Sequence, residues 1–283
     1  MIYAKAMTLS LRNSCFKAGI AVSTLSLGII IAAAINILPA YPAVFDESIR
    51  RSSGIIQRLI MNFMEPSPYV SFATTLGAAV YSLIGIILIY YFFEKTQSQE
   101  ILFIGLFVIS FAFECIRIMV PLVKAMEFPT IYLGRSSRVL IFGRYFGLFS
   151  LFAASVFTTG LEVQKQEHLV FITAAAALIF ALGLPTDGLS WDTTLNMEYD
   201  FNSTLTLVRG GILGITMASF FISAYTRGSK QYIYIGLGAL LIYTGRELLL
   251  SGDTWLSPFS GIVILSLGTW LVCVKLHHIY LWL

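Results

Sequence analysis

Eight runs of apolar residues, joined mostly by short connections, leave this chain almost nowhere to fold except within a lipid bilayer. A helix rises 1.5 Å per residue, so about 20 apolar residues cross the hydrocarbon core. The runs are Lys17–Leu38, Tyr69–Phe93, Ile101–Val123, Val139–Leu161, Leu169–Leu184, Leu205–Tyr225, Tyr232–Leu250 and Pro258–Ile279, of which the fifth is the shortest. In lipid every backbone N–H and C=O must be satisfied within the protein, and a helix does this inside one segment. The sequence therefore predicts an all-α polytopic membrane bundle, with residues 1–283 forming a single transmembrane domain of about eight helices.

Composition closes off the alternatives. The chain is 57% hydrophobic and 12% charged, against roughly 25% charged in a soluble domain, which excludes a water-soluble fold. Its 22 Phe, 14 Tyr and 22 Gly suit interfacial rings and close helix contacts in a membrane. The net charge of +3 is spread along the chain without a long basic block, so no nucleic-acid footprint exists. Cys15, Cys115 and Cys273 lie in or beside apolar runs, without CxxC or Cys/His metal spacing, and read as small packing residues.

Two connections are longer. Between Pro39 and Pro68, Ile49, Ile56, Leu59, Ile60 and Phe63 share one helical face, with Arg51, Arg58 and Asn62 largely on another. That pattern predicts a short interfacial helix over residues 46–64. Between Pro185 and Thr204, Asp187, Asp192, Glu198 and Asp200 occur without a basic residue, the pattern of a solvated acidic loop. Asn202-Ser203-Thr204 matches a glycosylation sequon, which matters only in a secretory-pathway protein.

The Lys/Arg bias of the connections gives orientation. With the N-terminus inside, Lys5, Arg12, Lys17, Lys95, Lys165, Arg227, Lys230 and Lys275 are cytoplasmic, against Arg50, Arg51, Arg58, Lys124, Arg135 and Arg138 outside. Eight against six favours both termini inside a cell or inner membrane. An impermeant thiol reagent added to intact cells should then label Asp192→Cys and spare Gly228→Cys; the reverse pattern would invert the orientation. The first run also fits an unusually long secretory signal whose removal would leave seven helices, but Ala40 and Ala43 form no A-x-A cleavage site.

The informative feature is charge inside the apolar runs: Glu114 and Arg117 in the third, Arg144 in the fourth, Arg209 in the sixth, and Arg246 with Glu247 in the seventh. A central Arg costs about 2.5–3.5 kcal/mol on insertion scales. By helical rise, Arg117 and Arg246 lie roughly 24 and 21 Å along their helices, while Arg144 and Arg209 lie about 6–9 Å from the starts of helices running the other way. All four converge on one layer of the outer half. Glu114 and Arg117 share a face, with Lys124 further along it and Pro121 placed to kink the last turn. Tyr243 sits one turn before Glu247. Four arginines against two carboxylates leave an excess of +2.

That excess describes a basic cup for an anionic headgroup or metabolite, with Arg117, Arg246, Arg144, Arg209, Glu114, Glu247 and Tyr243 as its residues, since guanidinium groups bind oxyanions bidentately. The competing structural reading has Arg144 and Arg209 snorkelling to the headgroups, and Glu114–Arg117 and Arg246–Glu247 pairing for packing alone. His168, His277 and His278 read as interfacial anchors rather than a metal or haem site. Gly210, Gly214 and Ala218 form a small-residue strip suited to a close helix crossing, within the bundle or between subunits. Arg144-Tyr145-Phe146-Gly147 and Arg209-Gly210-Gly211 are alike, but over too short a stretch to define a repeat.

No HExxH, phosphate loop or Ser/His/Asp set is present, so the sequence leans away from an enzyme and calls for no cofactor. Three classes fit: a binding or sensing module acting with a partner protein, a transporter of an anionic substrate, and a structural subunit. The one-sided placement of the charges favours the first. The expected partners are membrane lipids, the anionic ligand, and a protein partner or second copy.

Overall fold

The computed structural model describes residues 9–37, 68–94, 98–126, 129, 131–160, 166–185, 195–196, 202–252 and 254–281. The interfacial helix expected over 46–64 and most of the acidic connection lie outside them. Among the described residues the fold is all helical: α1 (Leu9–Ile37), α2 (Pro68–Phe93), α3, α4 (Ile131–Thr158), α5 (Gln166–Gly183), α6 (Asn202–Thr226), α7 (Gln231–Ser251) and α8 (Leu256–Leu281). All eight are long and apolar enough to cross a membrane. The protein is a multi-pass membrane helix bundle.

Helix α3 is the most buried, and it is built in three pieces: α-helix Glu100–Ser110, a 3-10 stretch Phe111–Ile118, and α-helix Met119–Ala125. Pro121 explains the change. It cannot donate to the carbonyl of Arg117, its acceptor in a continuous α-helix, and the turns before it close from i to i+3 instead. Once α-helix resumes at Met119, Pro121 falls in the first turn, where its missing N–H costs nothing. The expected kink is thus a tightened stretch just upstream. At three residues per turn, side chains three apart eclipse, so Phe111, Glu114 and Arg117 stack on one face, all buried.

Around α3 the main core gathers Phe16, Phe103, Phe107, Phe111 and Phe157, with Ile235, Ile242 and Leu265 from the last hairpin. Cys15 and Cys273 pack against this core and Cys115 against a smaller one, all three as free thiols. Hydroxyl pairs tie helices where lipid offers no competing water: Ser23 with Ser82 at 2.8 Å, Tyr81 with Thr269 at 2.6 Å, and Thr158 with Ser223 at 2.8 Å.

Glycine sets the closest approaches. A Cβ on Gly143 would lie 2.5 Å from the Phe113 Cβ, and one on Gly147 would strike Ser110. Only glycine lets α4 lie this close to the 3-10 stretch. In the α7–α8 hairpin the partner atoms are backbone: a Cβ on Gly245 would sit 2.5 Å from the Leu265 nitrogen, one on Gly261 2.6 Å from the Leu249 nitrogen, and one on Gly268 2.8 Å from the Ile242 nitrogen. The strip suited to such a crossing does not make one among the described residues. Gly210 and Gly214 face open space, and Ala218 is exposed beside them.

Two helices begin eight residues before the apolar runs that announced them. Helix α1 starts at Leu9 and so takes in Arg12, which is buried and donates to the carbonyls of Phe93 and Glu94 at 2.6 and 3.0 Å. The guanidinium thus satisfies acceptors at the C-terminal end of α2, where a cation is favoured. Helix α4 starts at Ile131, which places Arg135 and Arg138 on its exposed first turns. Arg144 then lies about 20 Å along its helix, far deeper than the 6–9 Å read from the apolar run.

Candidate functional site

The embedded charges lie close to one another, through partners that sequence adjacency did not indicate. Glu114, 2% exposed, accepts two bonds from Arg144, at 2.7 Å from Nε and 2.8 Å from Nη2. This planar fork is the strongest pairing a carboxylate makes with arginine. Arg117, one 3-10 turn along, holds its Nη1 at 3.9 Å from the same carboxylate and donates to the Thr74 hydroxyl of α2 at 3.3 Å. Arg144 is therefore turned inward rather than snorkelling as the competing reading had it, because its depth and the Gly143 contact bring it to α3.

The second carboxylate belongs to another helix. Glu247 takes a bond from Arg209 Nη1 at 2.9 Å, and Arg209 also donates to Thr206 and to the Leu205 carbonyl. The pair Arg246–Glu247 does not form. Consecutive helical residues point about 100° apart, so Glu247 faces α6 while Arg246 reaches across to α4 and donates Nη2 to the backbone oxygen of Arg144 at 2.9 Å. Arg209 and Glu247 keep 25% and 30% of their side chains exposed, whereas Arg117 and Arg246 are buried. The four arginines thus occupy two depths: a sealed pair, and a pair at the rim.

Three contributors had escaped sequence reasoning. Thr74 had no signal beyond its place in an apolar run. Asn196, in the acidic connection, accepts from Arg144 Nη2 at 2.7 Å and donates to the Leu250 carbonyl at 3.4 Å. Leu195 before it has φ 58° and packs with Val120, Val123 and Leu133. That backbone region is rarely adopted by leucine, and it anchors this part of the connection against the charged layer. The third is Tyr145, adjacent to Arg144: its ring packs on Phe180 with centroids 4.0 Å apart, and its hydroxyl lies within electrostatic reach of Arg209, Arg246, Glu247 and Tyr243.

The remaining polar features are simpler. His277 meets Phe93 edge-on, and His168 and His278 are exposed. Among the described residues no three His, Cys, Asp or Glu side chains come together as a metal site. A half-open cavity of about 620 Å³ lies between α2 and α8, walled by residues such as Leu88, Phe92, Trp270 and Val274, with no Asp, Glu, Lys or Arg in its lining. It is an apolar recess on the bundle's flank. Among the described residues the largest gathering of charged side chains is the arginine and glutamate cluster.

Comparison with known proteins adds little to this geometry. No family model matches the chain, and no solved structure matches it. An 89-residue segment is 26% identical to an uncharacterized protein of Treponema pallidum (strain Nichols), covering 31% of this chain and 26% of that protein. The chain thus spans about a quarter of the length of that relative.

Proposed function

We propose that the protein is a membrane-embedded binding or sensing module whose basic cup receives an anionic headgroup or metabolite and reports occupancy to a partner protein. One observation carries the reading. Four guanidinium groups, two of them buried and two partly exposed, cluster with two carboxylates, and Arg246, 3% exposed, is bonded to no carboxylate among the described residues. Arginine does not shed its proton, and a buried charge without a partner costs several kcal/mol. An anion supplied from outside the chain offsets that cost. Glu114 and Glu247 hold Arg144 and Arg209 in place, which sets the shape of the cup.

The test compares retention of anionic ligand by purified protein in nanodiscs of phosphatidylcholine with and without phosphatidylglycerol, alongside titration with inorganic phosphate. Arg117→Gln or Arg246→Gln removes one charge from the cup and should weaken binding. Where the contact is direct, the loss is the ~1.5–3 kcal/mol of a charged hydrogen bond. Folded variants that bind as the parent does would leave the charges a purely structural role. Uptake of the anion into sealed proteoliposomes would replace the module by a transporter.

A further inference from the structure

The cup has two sides, and they differ in how their donors are satisfied. On the α2–α3–α4 side, Glu114 takes Arg144 through both oxygens, Arg117 stands beside it and donates to Thr74, and Asn196 accepts from Arg144. Both guanidinium groups of that side lie against its one carboxylate. On the α4–α6–α7 side, Arg209 and Glu247 neutralise each other. Beneath them lie two buried polar atoms with no hydrogen-bond partner among the described residues, the Nη1 of Arg246 and the hydroxyl of Tyr145.

The two residues lie within electrostatic reach of each other. The Arg246 guanidinium already reaches the backbone oxygen of Arg144, the residue preceding Tyr145. The Tyr145 ring is fixed against Phe180, and Val208, Ile212 and Tyr243 pack into the same apolar cluster. A second tyrosine, Arg209 and Glu247 all lie within electrostatic reach of the Tyr145 hydroxyl. Water would satisfy both donors, but Glu247 and Glu114 reach the Arg246 charge only from a distance while each is bonded to another arginine, and an anion answers both demands. An oxygen-bearing anion fits best, because its several lone pairs accept from a planar guanidinium edge and from a hydroxyl arriving along another direction.

We infer that the ligand of the cup is an oxyanion, a phosphate or carboxylate, bound between α4, α6 and α7 by Arg246 Nη1 and the Tyr145 hydroxyl, with Tyr243 beside it and the Arg209–Glu247 pair as its rim. This assignment rests on the cup binding an anion at all, and it moves the contact away from Arg117. Arg117 then acts on the ligand only at a distance.

The experiment uses full-length protein in phosphatidylcholine nanodiscs, with phosphatidylglycerol or inorganic phosphate as probes and chloride as the competitor. Tyr145→Phe keeps the ring against Phe180 and removes one donor. It should weaken binding about tenfold, and Arg246→Gln by tenfold or more, whereas Arg117→Gln should change it by less than about threefold. If Arg246→Gln does not fold, Tyr145→Phe decides. Retention of phosphatidylglycerol without phosphate binding identifies a lipid headgroup, and binding of both identifies a site open to the free anion; either supports the assignment. Unchanged binding in Tyr145→Phe, or equal displacement by chloride, overturns it. Loss confined to Arg117→Gln also overturns it while leaving the anion cup intact, and failure of the parent to hold either probe removes both readings.

Discussion

Glu114→Gln should destabilise the bundle by about 3–5 kcal/mol, the cost of removing one partner from a buried ion pair. The reason is local. Glu114 is the carboxylate through which Arg144 is held bidentately and beside which Arg117 is stacked, so its neutralisation leaves the buried Arg117 and the partly exposed Arg144 with no carboxylate of their own. A membrane fold with the usual 5–15 kcal/mol of stability would then unfold at visibly lower temperature or denaturant in detergent. Two accompanying results follow from the same charge balance. Added inorganic phosphate should restore part of the lost stability, since it supplies the missing negative charge. Affinity for the anion should hold or rise, since the cup has become more positive. A variant as stable as its parent would mean that Arg144 finds its compensation elsewhere, and the two-sided account of the cup would fail with it.

Gly245→Leu should be at least as damaging, by a different route. The added Cβ meets the nitrogen and Cα of Leu265 at 2.5 and 2.8 Å, and these are atoms of a helix backbone that cannot rotate aside. Overpacking of a side-chain core costs roughly 1–3 kcal/mol, and a backbone contact has less room to relax, so about 3 kcal/mol or more is expected. Gly245→Ala already carries the clash and should show most of the loss. The control is Gly214→Leu, where nothing lies within 4 Å and the thermal midpoint should stay put. Equal melting of the Gly245 and Gly214 variants would show that α7 and α8 do not meet at backbone distance. The damage should extend to binding, because the residue after Gly245 is Arg246. Pinning one face of α7 to α8 is what aims the next side chain at α4.

Much of the architecture is legible in hydropathy, because a bilayer imposes one length and one backbone solution on every crossing segment. The limits appear where polarity and helix disagree. Arg135, Ser136, Ser137 and Arg138 break the apolar run, which starts at Val139, yet the helix continues through them with the arginines on its exposed turns. The same happens at Arg12 in α1, whose partners are carbonyls some eighty residues away. That antiparallel neighbours bring the arginines near one another is legible in the sequence, but their depth is not, since Arg144 lies about 20 Å along α4 where the apolar run gave 6–9 Å. Nor is which charge meets which, because pairing depends on how each helix is rotated, and a neighbour in sequence such as Glu247 can face away from Arg246. The glycine contacts are written in the sequence as Gly238, Gly245 and Gly252 against Gly261 and Gly268, each at intervals of seven. The strip at Gly210 and Gly214 draws the eye with the shorter four-residue spacing, and it faces open space.

The 3-10 stretch of α3 carries a geometric consequence of its own. Eight residues, Phe111–Ile118, rise about 2.0 Å each in this form and about 1.5 Å each in an α-helix, so the segment holds roughly 4 Å of extra length. Rewinding it would draw the Met119–Ala125 end inward by that distance. Three residues turn through a full circle in the tight form but about 60° less in the α form, so Arg117 would also swing off the meridian it shares with Glu114. In this helix, travel along the membrane normal and the direction of a buried charge are one and the same coordinate.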